Sequence, residues 1–197
     1  QPWWFFGPVM LIAAMPFTPF LLLGLVKVPR LRLNPEQSLM QFASCWLLAV
    51  LLLFTSAATK LPSYWLPATP AAALIVTWAA SSQGRFRWAA WLVSILLTVT
   101  LAVGFWASHL WIPLIQDPEM PTLAVDLMAS GFVLRAGAWF SLAALLGIVL
   151  WRRPGVVRLL GMQMSLLLFH LTALIPIAEL GDQLRQLPVR QAAAQID

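Results

Sequence analysis

Lys60 and Tyr64 stand in the stretch Lys60-Leu61-Pro62-Ser63-Tyr64-Trp65-Leu66-Pro67, between two long uncharged apolar runs. Tyr64 is the only tyrosine of the chain, and Lys27 is the only lysine besides Lys60. An ammonium and a phenolic hydroxyl that converge on one point can hold a phosphate, the first by charge and the second as a donor. A helix opening at Pro67 would turn its N-terminal N–H groups toward the same place, which favours an anion. Each residue also has a structural reading. A lysine at a helix C-terminus suits the macrodipole and can snorkel, and a tyrosine suits a membrane interface through its amphipathic ring. Taken singly, neither residue specifies a site.

Arg135 is the third candidate, because it interrupts the apolar stretch from Leu127 to Trp151. A charge at the centre of a membrane helix costs about 2.5–3.5 kcal/mol on insertion scales, so it faces a cavity, a partner or the headgroups. Two roles are open. The guanidinium grips a phosphate within the bundle, with Gly131, Ala136 and Gly137 providing the small surface that close packing needs, or it snorkels outward from about two turns in. His109 and His170 read as hydrogen-bonded core or interface residues. Asp117, Glu119 and Asp126 share a segment with Pro113, Pro118 and Pro121, an irregular loop in which solvated carboxylates need no special role. No His, Cys, Asp or Glu spacing suits a metal ion and no glycine-rich phosphate loop occurs, so neither metal nor cofactor is expected. Cys45 is alone, which excludes a disulfide framework.

The elements that must position these residues follow from composition. The 197 residues are 61% hydrophobic and only 10% charged, whereas a soluble domain carries about a quarter charged residues. Apolar runs of about 20 residues recur along the chain, each long enough for a hydrocarbon core of about 30 Å. Backbone groups in lipid must be satisfied internally, and runs rich in Leu and Ala do that as helices. The chain therefore reads as all-α: a polytopic membrane helical bundle with about six transmembrane helices, near residues 4–26, 38–59, 66–80, 88–112, 127–151 and 157–178. Two prolines in eight residues divide the second span from the third. Pro8, Pro16 and Pro19 predict a kinked first span, and the Ala-rich third span suits close contact at the bundle centre. The bundle is expected over 1–180, with 181–197 an outer-side tail that leads into a soluble domain.

Alternate loops share a side of the membrane. One set holds Lys27, Arg30, Arg32, Arg85, Arg87, Arg152, Arg153 and Arg158, which is eight of the twelve basic residues, with Glu36 the only acid. The positive-inside rule puts that set in the cytoplasm and both termini outside it. Topology and attraction to anionic lipid account for these bases, and the net charge of +5 is too scattered for nucleic acid. Nine of the eleven tryptophans fall at predicted span ends, as interfacial belts require, leaving Trp46 and Trp139 mid-span.

The segment Lys60-Leu-Pro-Ser-Tyr64-Trp-Leu-Pro-Ala-Thr-Pro-Ala-Ala-Ala73 resembles the pattern K-L-P-x-Y-x-L-P-x-x-P-A of the aminoarabinose transferase and protein mannosyltransferase-related family of membrane glycosyltransferases. Pro2-Trp3-Trp4-Phe5-Phe6, followed by Pro16-Phe17, is similar to the family's helix two spans earlier. The resemblance implies a GT-C-like fold, of which this chain would be the C-terminal membrane half. It implies transfer of a sugar from a polyprenyl-phosphate donor to a lipid, glycan or protein acceptor on the outer side of a bacterial inner membrane. Lys60 and Tyr64 would belong to the loop that approaches the donor phosphate. The family's acceptor-activating acids lie in the first outer loop of a chain about twice this length. No catalytic residue is therefore expected in this segment, and an N-terminal half would be its partner. The alternative is a non-catalytic membrane scaffold or accessory subunit that keeps the fold.

Overall fold

A computed structural model describes residues 2–27, 35–57, 59 and 61–193, and Lys60, Arg30 and Arg32 lie outside them. The described chain is all-α. Its α-helices are α1 (Phe6–Ala13), α2 (Thr18–Lys27), α3 (Pro35–Ser56), α4 (Thr69–Ser81), α5 (Arg87–Trp106), α6 (Ser108–Trp111), α7 (Leu123–Ser130), α8 (Phe132–Val149), α9 (Gly155–Phe169) and α10 (Ile175–Ala193). A 3-10 helix over Pro62–Ala68 leads into α4, and a π-helical turn over His170–Leu174 joins α9 to α10. The chain forms two compact units, residues 1–97 with 152–159 and residues 98–151 with 160–197.

Among the described residues, four helical stretches are long and apolar enough to cross a membrane: Ser38–Ser56, Arg87–Trp106, Phe132–Val149 and Gly155–Gln186. A fifth arises if α1 and α2 count as one span. The helical membrane bundle is therefore as predicted, but the count of six is not reached. The predicted first span is two helices bent by 115°, because Pro16 and Pro19 cannot continue the ladder. Polar groups freed at this bend find partners nearby: Thr18 Oγ1 donates to Leu11 O at 2.6 Å and Ala14 N to Met10 O at 3.1 Å. At the predicted third span the α-helix is only the 13 residues of α4, about 20 Å at 1.5 Å per residue, which is short of the hydrocarbon thickness.

In the first unit α4 is nonetheless the centre. Ala71, Ala72, Ile75, Val76, Ala79 and Ala80 are buried, a pattern at helical spacing that meets α2 and α3 on two sides. Gly24 of α2 stands so close that a Cβ there would collide with the Ile75 side chain. Apolar faces gain little by leaving lipid, so small residues that let backbones approach supply the packing instead. The alanine-rich reading of this segment holds. Two tryptophans assigned to the belts do not: Trp65 is 6% exposed and Trp91 2%. Trp91 packs edge-on to Phe20 at 4.6 Å between ring centroids. Trp3, Trp4, Trp88, Trp106, Trp111 and Trp151 are exposed, as an interfacial belt requires.

In the second unit polar side chains tie α8 to α9 and to the π-helical turn after it. Trp139 Nε1 donates to Thr172 Oγ1 at 2.7 Å, and Ser165 Oγ donates to Trp139 O at 2.7 Å. Each such bond in a membrane is worth about 0.6 kcal/mol. The rings of Phe105, Phe140 and Phe169 meet beside them. The predicted tail boundary after residue 180 falls inside α10, which continues as helix through Ala193.

Candidate functional site

The stretch that follows α3 is ordered by backbone geometry before any side chain acts. Leu61 is extended (φ −111°, ψ 142°), Pro62 opens the 3-10 helix, and Tyr64 N–H returns to Leu61 O at 3.0 Å. Pro67 lies inside that 3-10 helix, and α4 begins at Thr69 with Pro70 in its first turn. The N-terminus predicted at Pro67 is thus displaced by two residues. A proline in the first turn loses no hydrogen bond, which is why Pro70 is accommodated there.

Tyr64 is half-buried and its ring is held from α3 and α1. Its centroid lies 4.8 Å from that of Phe54, Phe54 lies 6.4 Å from Phe6, and Phe6 lies 5.2 Å from Phe5. Aromatic pairs at these separations contribute about 0.5–1.5 kcal/mol each beyond the area they bury. Trp65 and Ala68 are buried beneath the turn, whereas Leu61 and Leu66 are exposed. The result is a phenol fixed on a rigid aromatic stack, able to donate one hydrogen bond to an anion and to accept another.

Arg135 belongs to the second unit and lies closer to a helix start than the sequence suggested. Gly131, at φ 68°, separates α7 from α8, so Arg135 lies in the first turn of α8 and not two turns inside a longer helix. Its N–H donates to Gly131 O at 3.1 Å, and its guanidinium covers the Phe132 ring at 5.2 Å. The side chain is exposed. The cation–π contact is worth about 0.5–1 kcal/mol at an exposed site. Tyr64 and Arg135 lie in different units.

The acids of the 112–131 segment have structural work. Asp117 Oδ1 accepts from Glu119 N–H at 2.9 Å, closing a turn, and Glu119 pairs with Arg185 at 3.6 Å. Asp126 occupies the first turn of α7, where a negative charge suits the helix dipole. A recess of about 120 Å³, lined by Trp106, Ser108, His109, Met128 and Gly131 among others, opens in this unit. Of these, His109 and Gly131 were singled out in the sequence, neither of them for a recess. His170 is exposed at the start of the π-turn, with its ring 5.5 Å from that of Phe169. No group of three or more metal-ligand side chains occurs among the described residues.

Comparison with known proteins gives one useful likeness. The chain is 23% identical over 189 residues to undecaprenyl phosphate-alpha-4-amino-4-deoxy-L-arabinose arabinosyl transferase 1 of Pseudomonas fluorescens (strain Pf0-1), an alignment over 93% of this chain and 32% of that protein. The chain thus spans about a third of the length of the curated relative it matches. No family model matches, and no solved structure does.

Proposed function

We propose that this chain is the C-terminal membrane part of a glycosyltransferase that moves a sugar from a polyprenyl-phosphate donor to an acceptor on the non-cytoplasmic side of the membrane. The observation that carries the reading is the Lys60–Ala73 turn. Its residue pattern resembles that of lipid-linked sugar transferases, and in this structure Tyr64 is clamped against Phe54 at its head. The likeness to an aminoarabinose transferase over 93% of the chain supports the same class. In this reading Lys60 supplies charge to the donor phosphate and Tyr64 a hydroxyl on a braced ring, which lowers the entropic cost of that one contact. Arg135, exposed at a helix start, serves as a further phosphate contact or as an anchor among headgroups. The residues that activate the acceptor lie elsewhere in the enzyme.

A second reading, a non-catalytic membrane subunit, has the engagement of Asp117 and Glu119 in its favour. One assay separates the two. The protein as its gene encodes it is reconstituted with radiolabelled undecaprenyl-phosphate aminoarabinose and a lipid acceptor, and transfer is measured. Turnover that falls in Lys60→Ala more than in Lys60→Arg supports the donor site, since either cation meets a phosphate. No transfer, and no donor bound to the wild-type protein, leaves the subunit reading standing. Orientation is read separately: cysteines at Ser63 and Pro121 should react with an impermeant thiol reagent outside intact cells, and one at Gln83 should not.

A further inference from the structure

Beyond the transferase reading, we propose that one end of the first unit is a binding site for the phosphate headgroup of an anionic phospholipid, formed by Lys27, Arg85 and Arg87, with the buried Arg158 adding to its positive potential. The proposal requires only that the bundle sits in a membrane. Nine of the twelve basic residues fall within residues 1–97 and 152–159, against one of the seven acids, Glu36. Loop placement alone would distribute such bases around a perimeter. The fold instead gathers four of them.

Lys27 closes α2 and donates from Nζ to Ser82 Oγ at 3.0 Å. The turn after α4 wraps this ammonium closely, since a Cβ on Gly84 would lie 3.2 Å from Nζ. The same turn supplies Arg85, over the Phe86 ring at 4.6 Å, and Arg87, the first residue of α5. Gly155 opens α9 against the Ala80 carbonyl, closer than any Cβ would permit. That contact sets Arg158, one turn later, over Trp91 at 4.5 Å and within electrostatic reach of Arg87. Arg158 is 5% exposed.

Lys27 at a helix C-terminus is favoured by the dipole. Arg87 and Arg158 occupy first turns, where the dipole opposes a cation, and they also repel each other. Positive-inside topology accounts for bases in loops but requires no arginine buried beside another. A phosphate lowers the potential of such a cluster, as basic pockets between membrane helices do for lipid headgroups. Phe86 and Trp88, exposed beside the cluster, place it at the level of the interface and so favour lipid over a soluble anion.

The test uses the purified protein in detergent, with dioleoylphosphatidylglycerol or dioleoylphosphatidylcholine added, read by native mass spectrometry and thermal unfolding. Phosphatidylglycerol should be retained at least about fivefold more than phosphatidylcholine and raise the Tm, as ligand linkage requires. Lys27→Gln with Arg87→Gln should abolish the preference, whereas Arg185→Gln, on the other unit, should keep it. Should the double variant fail to fold, the exposed Arg85→Gln variant reads the same preference, and an unchanged ratio there counts against the site. Equal retention of the two lipids overturns the proposal. So does an equal Tm rise with inorganic phosphate at the same concentration, or a preference that survives the double substitution.

Discussion

Tyr64 and Arg135 make an instructive pair. Both stand close to the start of a helix, both follow a break in the chain, and both have chemistry suited to a phosphate. They differ in what holds them. Tyr64 sits in a proline-framed 3-10 helix, with its ring 4.8 Å from that of Phe54 and other rings behind it. Arg135 is exposed after a glycine turn and touches Phe132 of its own helix. A side chain braced by neighbouring helices presents its polar atom at a set point, whereas an exposed one pays rotamer entropy whenever it binds. Residue type proposes a ligand, and the support behind it decides how sharply the residue can act.

The largest effect should come from undoing that support. Gly24→Val forces a branched side chain into Ile75, and overpacking of this kind costs about 1–3 kcal/mol. The expected result is a clearly lowered Tm in detergent together with lost function, since α2 no longer seats α4. An unchanged Tm would show that α4 tolerates a shift and that the Tyr64 turn is not rigidly braced. In the second unit the matching change is Gly131→Ala. It meets open space but must adopt a φ of 68°, a cost of about 1–2 kcal/mol, and the same melt should rank it below Gly24→Val.

Tyr64→Phe comes next. It keeps the ring stack and removes only the hydroxyl, so stability should hold while donor use falls by about 1.5–3 kcal/mol if the partner is a charged phosphate. Donor affinity and turnover at wild-type values would reduce the turn to a connector. Trp139→Phe should cost about 0.6 kcal/mol through loss of the bond to Thr172, visible as a small drop in Tm. The smallest structural effect belongs to Arg135→Leu, about 0.5 kcal/mol, the loss of its exposed cation–π contact with Phe132. Activity is then the sharper measurement. Lost turnover in Arg135→Leu with partial rescue by Arg135→Lys would make Arg135 a ligand contact despite its weak support, and normal turnover would end that role.

Hydropathy and prolines made much of this protein legible. The apolar runs could satisfy their backbones only as helices, so the bundle, the break between α3 and α4, and the small-residue character of α4 were all readable. Tyr64 was singled out by scarcity and by the prolines around it, although nothing in the chain marks Phe54 as the ring that would hold it. The count of spans was less readable. Hydropathy adds residues one at a time, and residues 4–26 score the same whether Pro16 kinks one helix or divides two.

What only tertiary structure decided is the direction each residue faces. Trp65 and Trp91 look in sequence like any interfacial tryptophan, yet both are buried because the 3-10 helix before α4 and α5 itself turn them inward. Arg158 reads as one more base near a span end. It becomes a buried cation only because Gly155 lets α9 close onto Ala80. Arg135 reads as a charge two turns into a helix until Gly131 adopts a left-handed conformation and starts a new helix just before it. Burial, charge proximity and helix register depend on pairs of residues distant in the chain. A linear pattern records what each residue prefers, and the packed helices determine which of those preferences is met.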